Sequence, residues 1–541
     1  MNVADVLVDG LRRAGVTRLF GVPGGGSSLD LIAAARGAGI DFVLTHGETA
    51  ACIMAAVTGE LTETPGAALV SLGPGAASAV NGVAYAHLDR APLIVFTDRH
   101  PARVLPFTTH QRIDHAALFT PLAKASLGVE PESAAHWIAH AAQLALAEPR
   151  GPVHLDLPAD VASRPALPVA TACRPAPLPA PNPAILDDAA RLLGRAARPL
   201  LIVGLQCTAN GADKWIRPLA EALPAPVLVT YKAKGVFPDP HPLHLGVFTG
   251  AALEEPVLAR ADLVVTLGLD TVELIPREWR GRAPVLHIAR APHGGDYYRP
   301  ALEVVGDIAL VLEELAPRLR DHARADWDVA ELDRLKRAAT TRLAVPTSGL
   351  APHRVVEIVR DLTPAGTVAT VDAGAHMFPV MAFWAAVGPG EVLVSNGLAT
   401  MGFALPAAVA AQLLHRDRRV VCFTGDGGLM LAAAELETAV RRELPLVVVV
   451  FDDGALSLIR VKQEQRAMPG DSLTYRGPDF AALAKSFGMA AWTVTTEHAL
   501  RDAVVRAQEA ATPALIAARI DPSGYRATLE AVRGAAGGAT G

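Results

Sequence analysis

The apolar run Val420-Val421-Cys422-Phe423-Thr424 ends in Gly425-Asp426-Gly427-Gly428. That order reads as a buried strand, a glycine turn and the start of a helix. About two dozen residues further on, a second apolar run, Val447 to Phe451, ends in Asp452-Asp453-Gly454. In a parallel sheet the two strand ends face one crevice, with a helix N-terminus beside them. Magnesium takes oxygen ligands in octahedral geometry, commonly one or two carboxylates with phosphate and water oxygens. Asp426, Asp452 and the backbone carbonyl of Gly454 are therefore candidate metal ligands. Gly425, Gly427 and Gly428 let the backbone come close to phosphate oxygens. A Gly-Asp-Gly tripeptide alone is an ordinary turn; strand, turn, helix, strand and acidic pair in series point to a divalent cation holding a diphosphate.

Other segments have the same strand-then-turn form. Thr45-His46-Gly47-Glu48 follows the apolar run Phe42–Leu44 and opens an apolar helix. Glu48 in the first turn of such a helix is either an N-terminal cap partner or a functional acid. Gly21-Val22-Pro23-Gly24-Gly25-Gly26 and Gly73-Pro74-Gly75 each follow a strand and suit crevice-lining loops. Asn396 to Pro406 lies between a strand and an Ala-rich helix, and its Met401 would ordinarily be core filler.

These turns need elements to hold them. Apolar runs alternate with helical stretches along all 541 residues, which predicts an α/β fold of three domains, each a mostly parallel sheet flanked by helices. The first domain spans 1–163, a Pro-rich linker 164–184, a middle Rossmann-like domain 185–345, the domain carrying Asp426 350–524, and a flexible tail 525–541. The first and third units are expected to share a fold. Gly204 and Gly268 end two middle-domain strands without a full GxGxxG, so tight turns compete there with a nucleotide site. A formal charge of −6 with no basic stripe argues against nucleic acid, and no apolar run is long enough for a membrane span. Four scattered cysteines suit the reducing cytoplasm and no structural zinc.

Together these motifs resemble the thiamine-diphosphate enzymes of the acetolactate synthase type over about residues 1–524. The resemblance implies a pyrimidine-binding, a middle and a diphosphate-binding domain, with thiamine diphosphate and Mg²⁺ as cofactors. Asp452 stands where Asn is usual, as in the catabolic acetolactate synthases. Glu48 becomes the catalytic glutamate, bonded to N1′ of the aminopyrimidine and promoting loss of the thiazolium C2 proton. Met401 becomes the wedge under a bent cofactor, and the Ala399 carbonyl the acceptor of its 4′-amino group. Gly73, Pro74 and Gly75 match the loop by the pyrimidine. His110 and Gln111 match an HQ loop and are candidate substrate contacts, with an exposed surface loop the alternative for His110. His376 matches a diphosphate segment in which Ala375 replaces the usual Gln.

Middle-domain departures, Gly246 to Gly250 and Gly268-Leu269-Asp270, leave a structural FAD unsupported. The implied activity is decarboxylation of a 2-oxo acid with carbanion transfer to a second carbonyl. The alternatives are a simple 2-oxoacid decarboxylase, for which His46 and His110 are available as proton donors, a 2-hydroxyacyl-CoA lyase, and a catalytically silent regulatory homologue. The CoA reading is lowered by a short, charge-poor tail. The resemblance also implies a homodimer or homotetramer with active sites at the subunit interface.

Overall fold

A computed structural model of the chain describes residues 1–275, 278–319 and 325–534. They form three six-stranded sheets, and every strand pairing is parallel. The first sheet has β1 (Arg18–Val22), β2 (Asp41–Leu44), β3 (Gly66–Val70), β4 (Leu93–Arg99), β5 (Ser126–Gly128) and β6 (Pro152–Pro158). The second has β7 (Pro199–Val203), β8 (Val227–Val229), β9 (His244–Val247), β10 (Leu263–Leu267), β11 (Val285–Ala289) and β12 (Leu302–Val305). The third has β13 (Val368–Val371), β14 (Val392–Val394), β15 (Val420–Gly425), β16 (Val447–Asp452), β17 (Ala490–Val494) and β18 (Ala514–Arg519). Central strands such as β16, Val-Val-Val-Val-Phe-Asp, are buried up to the terminal Asp, because helices cover both faces of a parallel sheet.

Strand order is β2-β1-β3-β4-β6-β5 in the first sheet and β14-β13-β15-β16-β18-β17 in the third. The two are the same topology, as the sequence predicts. The second, β12-β11-β10-β7-β8-β9, has the Rossmann order. β5, β9, β12 and β17 are all sheet edges. Three of them, β5, β12 and β17, are only partly buried, which weakens the apolar run that marks a strand.

The described residues group as two compact units. One holds Met1–Pro177, Gly397–Arg416 and Met430–Leu446; the other holds Leu178–Asn396, Asp417–Leu429 and the chain from Val447 on. Thus the helices Ala404–Leu414 and Glu435–Arg441 belong with the first sheet, which no linear division of the sequence anticipates. The Pro-rich linker ends two residues early, since Asn182 caps a helix that starts at Pro183. The tail is corrected over most of its length. Tyr525–Arg533 is a helix that buries Tyr525, Leu529 and Val532 on one face, an i, i+4, i+7 stripe; residues 535–541 lie outside the described residues. Among the described residues no helix is long and apolar enough to cross a membrane.

The middle-domain glycines resolve as tight turns around an internal acid. At the switch point between β7 and β10, where Rossmann sheets take ligands, the Glu273 carboxylate is seated. Its Oε2 accepts the N–H of Leu205 at 3.0 Å and of Asp270 at 3.2 Å, and its Oε1 meets the Thr230 hydroxyl. A Cβ on Gly204 would lie 2.7 Å from that carboxylate. Two backbone N–H groups of these turns are thus taken by Glu273.

Candidate active site

Glu48 is the first residue of the helix Glu48–Thr62, whose N-cap is Gly47. Glu435, buried on the helix Glu435–Arg441, reaches the same helix start. Its Oε1 accepts the backbone N–H of His46 at 2.9 Å and of Gly47 at 3.1 Å, and its Oε2 accepts the Thr438 hydroxyl at 2.7 Å. The Gly47 N–H at the helix start thereby has an acceptor from outside the helix, and the Glu48 carboxyl bonds its own backbone N–H. Burial raises the Glu48 pKa above the ordinary carboxylate range. His46 is exposed and its Nε2 lies 2.7 Å from Glu437.

The Gly73-Pro74-Gly75 turn closes over this acid. A Cβ on Gly75 would sit 3.2 Å from Glu48 Oε1 and 2.4 Å from Ser71 Oγ, so only glycine brings the turn this close. Gly73 has φ 60° and donates its N–H to His115 Nε2 at 3.1 Å. A Cβ on Gly73 would meet the Gln111 carbonyl at 2.4 Å, which ties the HQ loop to the same turn. An open cleft of about 550 Å³ lies there, walled in part by Arg99, Gln111, His115 and Asp156. His110 is exposed, and its contact is through the backbone: its carbonyl takes the Nε2–H of His100 at 2.8 Å. Just after the Gly21–Gly26 turn, buried Asp98 Oδ1 accepts the Ser27 hydroxyl at 2.6 Å and the Ser28 N–H at 2.7 Å.

The segment with Ala399 and Met401 sits on the end of the helix Pro74–Leu88. Asp89 accepts the N–H of Gly397 at 3.1 Å and of Leu398 at 3.3 Å, and Asn81 donates to Thr400 Oγ1 at 2.9 Å. Ala399 has φ 53° and is exposed, while Met401 is half-buried and not core filler. A left-handed alanine is uncommon outside functional loops.

In the other unit, β15 and β16 end side by side, with Gly425 opposite Phe451. Asp426 is 3% exposed. Its Oδ1 accepts the Gly427 N–H at 2.7 Å and the Tyr475 hydroxyl at 2.8 Å; its Oδ2 accepts the Gly454 N–H at 2.7 Å. Asp452 is half-buried, and burial together with the Asp426 charge raises its pKa. Burial pushes Asp453 up to about 7, against a Ser457 hydroxyl bond that lowers it. Three acids line one crevice, with Arg519 Nε 3.8 Å from Asp452 Oδ2, and their mutual repulsion favours a bound cation. The Gly454 carbonyl takes the Tyr475 N–H at 2.8 Å, and its second lone pair remains for a ligand.

The phosphate side is equally specific. Gly428 has no room for a side chain, because a Cβ there would be 2.2 Å from Asp372 Oδ2. His376 is stacked on Phe451 with ring centroids 5.3 Å apart, and a Cβ on Gly425 would lie 3.2 Å from its Cε1. Its Nε2 is buried without a hydrogen-bond partner, and burial lowers its pKa to about 3. A buried orphan nitrogen beside a glycine cradle and clustered carboxylates fits a metal-bound diphosphate. Among the described residues no three His, Cys, Asp or Glu side chains converge as a metal cluster; a Mg²⁺ shell completed by phosphate and water needs only one or two carboxylates.

Sequence reasoning missed Glu435, His115 and Tyr475. Each acts on a residue far away in the chain, and none has a local motif. Glu435 shares the helix Glu-Leu-Glu-Thr-Ala-Val-Arg with other charged residues, so its sequence neighbourhood does not mark it either.

Comparison with known proteins accords with this geometry. Residues 1–118 match the thiamine pyrophosphate enzyme N-terminal TPP-binding domain, 186–315 the central domain, and 372–518 the C-terminal TPP-binding domain. An acetolactate synthase large subunit from Parasynechococcus marenigrum is 31% identical, covering 95% of this chain and 86% of its own length. The acetolactate synthase of Bacillus subtilis is 28% identical over 96% of this chain and 93% of its own. A catabolic acetolactate synthase of Raoultella terrigena is 28% identical over 96% and 95%. Two of the three matched domains are TPP-binding, so thiamine diphosphate is the cofactor. With all three domains in order and a relative at 31% identity along nearly its whole length, the chain belongs to the thiamine pyrophosphate enzymes of the acetolactate synthase type.

Proposed function

We propose that this protein removes CO₂ from a 2-oxo acid and joins the remaining acyl carbon to a second carbonyl compound. The relatives are named for making acetolactate, a product of such carbon–carbon ligation. When bound, thiamine diphosphate supplies an acidic thiazolium C2–H and an electron sink for the carbon that loses CO₂.

The observation that carries the reading is Glu48: a half-buried carboxyl of raised pKa, next to the Gly47 N–H that Glu435 accepts, and walled by Gly75. Such a group shares a proton with a ring nitrogen instead of holding a fixed charge. Asp426, Asp452 and the Gly454 carbonyl hold Mg²⁺. Gly425, Gly427, Gly428 and His376 line the diphosphate. Ala399 and Met401 support the cofactor's bend. The Gly73-Pro74-Gly75 turn screens Glu48 from water, and Gln111 contacts substrate from the adjoining cleft. The working form is a homo-oligomer whose sites draw Glu48 and the diphosphate residues from different subunits. The four cysteines are free and buried, which suits the reducing cytoplasm.

The test is incubation of purified protein, thiamine diphosphate and Mg²⁺ with a panel of 2-oxo acids, with and without aldehyde or 2-oxo acid acceptors. Acetohydroxy acid or acyloin formation is expected. Aldehyde release alone under every condition would assign a simple decarboxylase instead, acyl-CoA cleavage a lyase, and no turnover a silent homologue.

A further inference from the structure

A chain of hydrogen bonds runs through the first sheet to the turn that closes over Glu48, and its polarity can be read bond by bond. The Gly73 N–H can only donate, so His115 Nε2, 3.1 Å away, is its acceptor and carries no proton. His115 is then protonated on Nδ1, which donates to Asp156 Oδ1 at 2.9 Å. The same oxygen accepts the Thr97 hydroxyl at 2.7 Å. Having spent its proton there, Thr97 Oγ1 accepts from His154 Nε2 at 2.8 Å, and His154 Nδ1 takes the Ser126 hydroxyl at 2.7 Å.

Every donor in the series has an acceptor, and the pieces are deeply placed. His154 and Thr97 are at most 1% exposed, His115 6% and Asp156 9%. Burial lowers the His154 pKa to about 4, which keeps it neutral as the bonding pattern demands. Burial alone would raise Asp156, but the His115 and Thr97 hydrogen bonds hold its carboxyl below the ordinary range. Arg99 Nε lies 3.6 Å from Asp156 Oδ2 at the cleft wall. The network is anchored on β4 and β6, two neighbouring central strands, so it presents a rigid reference point to the loop above.

Gly73 is the N-cap of the helix Pro74–Leu88, and its carbonyl accepts the Ala77 N–H at 2.9 Å, while His115 supplies the acceptor for its own N–H. Gly73 has a positive φ, Pro74 has no N–H, and a Cβ on Gly73 would lie 2.4 Å from the Gln111 carbonyl. We propose that His115, oriented by Asp156, is the positioning residue that fixes the Gly73-Pro74-Gly75 turn and, through it, the places of Glu48 and Gln111. Its effect on turnover rests on the function proposed above; its hold on the turn is a property of the chain alone.

Two substitutions separate His115's bonds. In His115→Asn the amide reaches Asp156 but falls short of Gly73; in His115→Gln the longer side chain brings Oε1 to the place of Nε2 and accepts the Gly73 N–H. Two readouts are taken. Hydrogen–deuterium exchange of the peptide spanning residues 71–77 is followed by mass spectrometry without cofactor. Thiazolium C2 proton exchange and turnover are measured with thiamine diphosphate and Mg²⁺. For His115→Asn the expected result is faster exchange of that peptide and a loss of C2 exchange and kcat of roughly 10- to 100-fold, the scale on which misplacement by an ångström acts. KM should change much less, and His115→Gln should recover most of both.

Wild-type peptide exchange in His115→Asn would overturn the proposal, as would equal losses in the two variants in step with a fall in melting temperature. If His115→Asn does not fold, Asp156→Asn is read in the same way, with accelerated peptide exchange expected and an unchanged rate sinking the idea. A wild-type protein without C2 exchange would instead fail the proposed function, and the cofactor-free exchange experiment would still decide the role of His115.

Discussion

Glu435 accepts the backbone N–H of Gly47 at 3.1 Å, immediately before Glu48, the proposed catalytic acid. A helix start needs acceptors for its first N–H groups. Here the acceptor comes from a distant stretch of the chain. Glu435→Ala should destabilise the protein by about 1–2 kcal/mol, the range for losing an N-terminal cap, and lower turnover more than substrate affinity. Calorimetry and steady-state kinetics check it; unchanged kcat would separate Glu435 from Glu48.

Glu48→Gln keeps the size of the side chain and removes the exchangeable carboxyl proton. C2 proton exchange of bound cofactor should slow by about 10²- to 10⁴-fold, the usual worth of a positioned acid or base, while cofactor content after gel filtration stays near wild type. Exchange at the wild-type rate would reject the role.

Asp426 is both a proposed metal ligand and the acceptor for Gly454 and Tyr475, so Asp426→Ala should abolish Mg²⁺-dependent retention of thiamine diphosphate. Asp452→Asn is the finer probe, since an amide oxygen still ligates Mg²⁺. It should retain cofactor, whereas Asp452→Ala should not. Thiamine content after desalting with and without Mg²⁺ reads both.

The Glu273 carboxyl is raised to about 8 by burial, against the hydrogen bonds from Thr230, Leu205 and Asp270. A carboxyl with a raised folded pKa binds its proton more tightly in the native state. The stability it contributes is full below about 4.5, its ordinary value, and is lost as pH rises through about 8. Glu273→Gln copies the protonated form, with an oxygen for the Leu205 N–H and a donor for Thr230. Melting temperature should fall between about pH 5 and 8 more in the wild type than in the variant, and the difference should level off above that. Parallel curves would show that Glu273 is ionised throughout.

Much of this protein is legible in one dimension. Central strands announce themselves as unbroken apolar runs, because both their faces are covered, and β15 and β16 begin where sequence reading puts them. The Gly-Asp-Gly-Gly turn and its acidic partner carry their chemistry in local spacing, so the order of the amino acids is enough to pick out Asp426, Asp452 and the glycine cradle. Tertiary structure alone decided which acid meets the Gly47 N–H. Glu435 arrives there from elsewhere in the chain. It also decided that Glu273 fills the middle crevice, and that His115 holds Gly73. These are long-range hydrogen bonds. Periodicity reports which face of an element is buried, whereas the partner of a buried polar group is set by where separate elements meet.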